Sequence, residues 1–257
     1  MVMNYHTHTP RCHHAVGSER AYIERAIEAG MSVLGFSDHV PYPFDPGYYS
    51  NFRMRPEETA EYIQTLLQLR EEYRGRIEIK IGFEAEYYPA YFDRLLELLA
   101  PYPVDYLLLG QHFLENETSH LYSGDKTESE ERLAKYVDQV IAGMETGMFS
   151  YLAHPDLVDF VGEAAAYRRQ CLRLCQAAKA LDIPLEINLL GIREARAYPR
   201  RDFFAIAAEA GAQAVLGSDA HQPEAVYDPA SREKALKMAQ ELGLTVLSQV
   251  RLRSPKR

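Results

Sequence analysis

Along the chain, short runs of β-branched and aliphatic residues alternate with longer stretches in which apolar positions recur every three or four residues. This alternation is the pattern of repeated βα units around a parallel sheet. Strands are predicted at residues 2–8, 32–38, 77–84, 104–111, 149–154, 183–188 and 212–218, with 244–247 as a weaker eighth. Helices are predicted between them. One starts at Ser18, an N-cap residue, and stops at Gly30, and the others cover 56–73, 90–99, 128–146, 163–181, 200–210 and 229–242. Residues 40–55 carry five aromatics and three prolines without a period, and read as a long loop after the second strand.

No linker rich in Pro, Gly or Ser divides the 257 residues, and no repeat appears, so a single domain over 1–257 is expected. An α/β barrel of about 250 residues is an ordinary solution at this length. No apolar run approaches the roughly 20 residues of a membrane helix, and His6 and His8 come too early to leave room for a secretion signal. The expectation is a soluble cytoplasmic protein. Three cysteines without a CxxC spacing support neither a disulfide framework nor a zinc ribbon, and Cys171 and Cys175, four apart on a predicted helix, read as buried. A net charge of −9, with Lys and Arg concentrated only in a frayed end over 251–257, argues against a nucleic-acid partner. An acidic protein can still bind a phosphate where bound divalent cations invert the local field.

Histidines and carboxylates fall at the C-terminal ends of the predicted strands. His6 and His8 end the first, Asp38 and His39 the second, Glu84 and Glu86 the third, and His112 the fourth. His154, Asn188 and Asp219 with His221 end the fifth, sixth and seventh. In a closed βα barrel these ends share one rim, where the active sites of such folds lie. With His14, which follows the first strand, seven of the nine histidines are drawn together from more than 200 residues of chain. His13 and His14 compete for one role, with spacing in favour of His14, and His120 reads as a surface residue. Two histidines two apart on a strand point to one face and can grip one ion. Imidazole and carboxylate donors suit zinc, iron or manganese, and two or three such ions can bind phosphoryl oxygens, supply hydroxide and neutralise the leaving oxygen.

With these residues assembled, the chain resembles the polymerase-and-histidinol-phosphatase superfamily, and within it the histidinol-phosphate phosphatase branch. The matching pieces are His6-Thr-His8-Thr-Pro-Arg-Cys-His-His14-Ala, Gly35-Phe-Ser-Asp38-His39-Val-Pro41, Gly82-Phe-Glu84-Ala-Glu86-Tyr87, Gly110-Gln-His112-Phe-Leu, Leu152-Ala-His154-Pro-Asp156 and Gly217-Ser-Asp219-Ala-His221-Gln-Pro. The resemblance implies a distorted (β/α)7 barrel with a metal site at the C-terminal face of the strands. It implies about three divalent ions: one on His6, His8, Glu84 and Asp219, a second on His14, His39 and His221, a third on Glu84, His112 and His154. The implied reaction is hydrolysis of L-histidinol phosphate by a hydroxide bridging the ions, with Asp219 orienting or deprotonating the water. Asp38 reads as a carboxylate that holds the His39 imidazole. For substrate contacts the expectations are Arg193 as a phosphate clamp, and Glu115, Tyr42, Arg53 and Arg55 toward the imidazole and amine. Two departures stand out: Gly-Gln-His112 where many members carry a serine, and adjacent histidines at 13 and 14.

Three rival readings remain. One is a phosphodiesterase or exonuclease of the same chemistry, which the charge and the absence of a polymerase segment argue against. Another is an amidohydrolase-type barrel, which needs a lysine at the rim, whereas Lys80 comes before its strand end. The third is a metal-binding protein without turnover, which nine ligands for three ions, leaving positions for water, disfavour.

Overall fold

The computed structural model describes residues 3–255. Four parallel strands, β1 (Met3–Asn4), β2 (Val33–His39), β3 (Glu78–Ala85) and β4 (Tyr106–Leu109), pair in that order, and β5 (Leu185–Asn188) pairs in parallel with β6 (Ala214–Gly217). Parallel bridges from Leu109 to Leu152 and from Leu152 to Leu185 connect the two groups, and a bridge between Thr7 and Ala220 joins their outer edges. The sheet therefore curls.

Among the described residues, eight α-helices connect or follow these strands: α1 (Glu19–Glu28), α2 (Thr59–Glu72), α3 (Phe92–Leu99), α4 (Glu130–Glu145), α5 (Ala164–Ala180), α6 (Leu189–Arg193), α7 (Arg201–Ala210) and α8 (Pro229–Glu241). Seven fall where the apolar period places them. The Ser18 hydroxyl accepts the Ala21 N–H and caps α1, and Gly30 follows its end at φ 69°. The five-residue α6 escaped the pattern because it is too short to show a period.

Side chains alternate across the sheet as the pleat demands. Leu107 and Leu109 join Phe36, Ile81 and Phe83 in the large cluster under the helices, whereas Tyr106 and Leu108 join Met3, Tyr5, Tyr151 and Val215 in a small inner one. Val250 and Leu252 pack against that inner cluster, and Arg253 and Ser254 bond to Ser150, Leu181, Asp182 and Val104. The end expected to fray is docked as far as it is described. Its last residues, 256 and 257, and Val2 of the first predicted strand lie outside the described residues.

Two predicted strands are much shorter than the pattern implies, and side chains explain the first. After Asn4, the Asn4 side chain bonds to Ser218, His6 and Thr7, and the Tyr106 hydroxyl donates to the carbonyls of Tyr5 and Phe36. Side-chain groups thus occupy backbone sites that a ladder would use. In 149–154, Leu152 makes only isolated bridges, and the chain leaves the extended region at His154, φ 27°. The eighth candidate reduces to a bridge between Val246 and Ala214. Among the described residues, no helix is long and apolar enough to cross a membrane.

Candidate metal centre

Glu84, near the end of β3, sits at the middle of the histidine cluster. Its Oε2 lies 3.5 Å from His6 Nε2, 3.5 Å from His8 Nε2 and 3.2 Å from His39 Nδ1, while Oε1 lies 2.7 Å from His154 Nε2 and 3.6 Å from His112 Nε2. Asp219 Oδ1 is 3.6 Å from His6 Nε2, 3.3 Å from His8 Nε2 and 3.4 Å from His221 Nδ1. The His14 ring is stacked on that of His221 at 4.7 Å between centroids and stands 5.4 Å from His39. His13 is exposed at φ 67° and His120 at φ 56°, and neither lines the cavity over this group.

Donor atoms of several trios lie within 4.8 Å of one another, among them His14, His39 and His221; His6, Glu84 and His154; His6, His8 and Asp219; and His8, His39 and Glu84. The chain's turns make this crowding feasible. A Cβ at Gly110 would come 2.0 Å from Glu84 Oε1, and one at Gly217 would come 1.6 Å from Glu186 Oε1, so each buried carboxylate occupies space that a glycine leaves. His154 and Asp219 take left-handed backbone angles, φ 27° and 46°, which non-glycine residues adopt at a cost and which cluster at functional sites.

A second layer of carboxylates holds the outer ring nitrogens. Glu186 Oε1 is 2.8 Å from His6 Nδ1, and its Oε2 accepts the His154 N–H and an amide hydrogen from Asn188. Asn188 also donates to Asp219 Oδ2 at 3.0 Å. Glu86 Oε1 is 2.9 Å from His112 Nδ1. Asp38 Oδ1 stands 3.5 Å from His8 Nδ1 and accepts the His39 backbone N–H, while Oδ2 bonds to Thr9. Asp38 therefore faces the His8 ring rather than that of its neighbour His39, because successive side chains of β2 point to opposite faces. Carboxylates placed behind imidazoles in this way fix the tautomer and aim the other nitrogen inward.

Burial works against charge on every one of these groups, yet the carboxylates prevail at His6 and His8. Glu186, Asp219 and Glu84 hold His6 well above the ordinary imidazole range, and bonds to Asp219 and Asp38 do the same for His8. His39 is pushed well below that range by burial and by His8, and His221 is pushed to about 3 by the same two causes. Burial also opposes charge on Glu84 and Asp219, but the surrounding imidazoles outweigh it and hold both well below the usual carboxylate range.

The cluster forms the floor of a cavity of about 470 Å³. Its remaining lining is Asn51, Phe52, Phe113, Tyr122, Leu157, Leu190, Glu194, Arg196 and Tyr198. None of the five side chains expected to meet the substrate belongs to the described lining. Arg193, carried by α6, turns to Asp228, the N-cap of α8, with Nη1 3.6 Å from Oδ2. Glu115 stands at φ 64° with its N–H bonded to Gln139. The Tyr42 hydroxyl is buried on the Glu86 carbonyl. Arg53 is buried between Glu86 and Glu117, at 2.9 and 2.7 Å, and also donates to the Val40 carbonyl, so it pins the 40–55 loop instead of meeting solvent. Arg55 lies over the Tyr49 ring. The loop reaches the cavity through Asn51 and Phe52, which the charge-led reading of the sequence passed over.

Residues 4–189 match the model of the PHP domain. The chain belongs to the PHP family. Among curated relatives, a probable histidinol-phosphatase of Deinococcus radiodurans is 31% identical over 232 residues, 85% of each chain. The histidinol-phosphatase of Bacillus subtilis is 32% identical over 123 residues, 45% of this chain and 46% of that one. A crystal structure of histidinol phosphate phosphatase from Lactococcus lactis, complexed with zinc, L-histidinol and phosphate, superposes with a TM-score of 0.74 at 21% identity, covering 99% of this chain and 97% of that one. At that identity the superposition shows the PHP fold.

Proposed function

We propose that this PHP chain is a histidinol-phosphate phosphatase that releases phosphate from L-histidinol phosphate. The observation that carries the reading is a set of buried imidazole nitrogens without hydrogen-bond partners: His6 Nε2, His8 Nε2 and His39 Nδ1, which face Glu84 and Asp219, and His221 Nε2. Buried polar atoms left unsatisfied are costly, and bound cations would satisfy them. The donor set of imidazoles and carboxylates fits zinc, iron or manganese. His6, His8, Glu84 and Asp219 would hold one ion, His14, His39 and His221 a second, and Glu84, His112 and His154 a third. Bound there, divalent ions supply a nucleophile near neutral pH and positive charge for the phosphoryl oxygens.

The protein's own groups do the rest. Asn188 fixes Asp219 Oδ2 and aims Oδ1 into the cluster, where Asp219 would orient or deprotonate the attacking water. Asp38, Glu86 and Glu186 keep the rings of His8, His112 and His6 in place. Arg196, on the cavity wall, takes over from Arg193 the role of binding phosphate. The aromatic surface of Phe52, Phe113 and Tyr122, with rings 5.8 and 5.6 Å apart, accepts the imidazole of the substrate. The curled sheet closes through the Leu152 and Thr7 bridges into a distorted seven-stranded barrel, and the chain works as one domain. A small phosphate ester suits a cavity of this size, and a location in the cytoplasm suits a biosynthetic step.

The test is phosphate release from a panel of small phosphomonoesters and single-stranded DNA. Histidinol phosphate is expected to give the highest kcat/KM, and a preference for DNA would favour the nuclease reading. Asp219→Asn is expected to lower kcat by about a hundred-fold or more, the usual range for removing a proton acceptor. Full turnover at unchanged metal content would remove Asp219 from that role.

A further inference from the structure

Apart from the candidate ligands, the described lining of the cavity includes two charged side chains, Glu194 and Arg196. They lie two residues apart on the segment that follows α6, on either side of Ala195 at φ 52°. Arg196 donates to Glu194 Oε2 through Nη2 at 2.7 Å and Nε at 2.9 Å, and through Nη1 to the Tyr198 hydroxyl at 2.9 Å. The segment is held by backbone bonds from Glu194 to Leu190 and from Arg196 to Gly191, both 2.9 Å. A non-glycine residue in the left-handed region is maintained against its own preference, so the surroundings enforce this turn and the pair it presents. Both side chains are close to half exposed, 42% for Arg196 and 48% for Glu194, which makes their mutual pair weak and easily exchanged.

A phosphate clamp alone would need only the arginine. The carboxylate beside it repels a phosphate dianion and weakens the clamp unless the ligand also brings a cation. In histidinol phosphate the carbon bearing the ammonium is bonded to the carbon bearing the phosphate oxygen, so opposite charges sit side by side, as they do in Glu194 and Arg196. The imidazole lies one carbon further on, within reach of an aromatic rather than an ionic surface.

We infer that Glu194 is the residue that selects for an amine on the substrate: its carboxylate takes the ammonium, and Arg196, exchanged from it, takes the phosphate. One pair of half-exposed ions is traded for two complementary contacts. This assignment rests on reading the cavity as a phosphomonoesterase site. It replaces Glu115 as the partner of the amine.

The experiment compares two esters, histidinol phosphate and imidazolylpropyl phosphate, which lacks only the amino group, on the wild type, Glu194→Gln and Glu194→Asp. For Glu194→Gln, KM for histidinol phosphate should rise about ten-fold with kcat little changed, the loss expected when a charged hydrogen-bond partner is neutralised. KM for the amine-free ester should stay the same or fall, since Arg196 is freed. Glu194→Asp, which keeps the charge, should retain part of the discrimination. Metal content and near-ultraviolet circular dichroism should match the wild type. Equal losses on both esters, or no change on either, would overturn the assignment. A wild type that releases phosphate from neither ester would overturn the phosphomonoesterase reading, and this assignment with it.

Discussion

Glu84 shows how much one side chain can organise when burial leaves it no water. Its two oxygens face five imidazoles, and three of them, His112, His6 and His154, hold its pKa well below the usual carboxylate range against the effect of burial. The converse holds at His6 and His8, whose nearby carboxylates keep them above the ordinary imidazole range. Without ions these two rings therefore carry protons near neutral pH, and a cation must displace them because only neutral imidazole is a ligand. His39 and His221, held low, have no proton to give. Zinc binding at pH 7 should thus release protons, and affinity should rise with pH until the raised pKa values of His6 and His8 are passed. Calorimetric titration in two buffers of different ionisation enthalpy checks this: the heats should differ by the proton release, and equal heats would contradict it. For the stability of the metal-free protein the sign is opposite. Raised His6 and His8 stabilise the metal-free protein fully below their unfolded pKa, and that contribution is lost as pH climbs through the folded one.

At the scale of elements, the strand ends were legible because each carries its donor at a fixed offset from an apolar run. Glu84 on β3, Asn188 on β5 and the residues following β6 lie where that offset puts them. The carboxylate behind His6 was not legible. Glu186 stands inside a strand two residues before Asn188, where a sequence shows a polar residue in an apolar run and nothing about its partner 180 positions away. Nor was the wall of the cavity: Arg196 and Glu194 follow a helix too short to register, and the most conspicuous cation of the long loop, Arg53, serves to anchor it. The glycines of the motifs gain a physical meaning only with coordinates. Gly110→Ala should force Glu84 away from His154, because the added methyl would take the place of its Oε1. The expected result is an affinity for ions weakened about ten-fold or more, the scale seen when support around a metal site is disturbed, with little change in Tm. Unchanged metal affinity and turnover would show that Glu84 does not need that space.

For the whole molecule, the order of elements and the shared rim followed from periodicity, while the way the edges meet did not. Thr7 and Ala220 come together through bonds that His6, His8 and Ala220 make along their backbones, a contact between the two ends of the sequence that no local pattern encodes. The same applies to residues 253 and 254, whose basic surroundings in sequence read as solvated although Arg253 and Ser254 bond to the carbonyls of Leu181 and Val104. The Thr7–Ala220 contact gives the histidines from both halves a common frame. The direct test is phosphate release from histidinol phosphate by protein stripped of cations and then reloaded with zinc, alongside elemental analysis. Activity should vanish on stripping and return as about three ions per chain rebind, whereas undiminished hydrolysis by the metal-free protein would contradict the proposed role of the cluster.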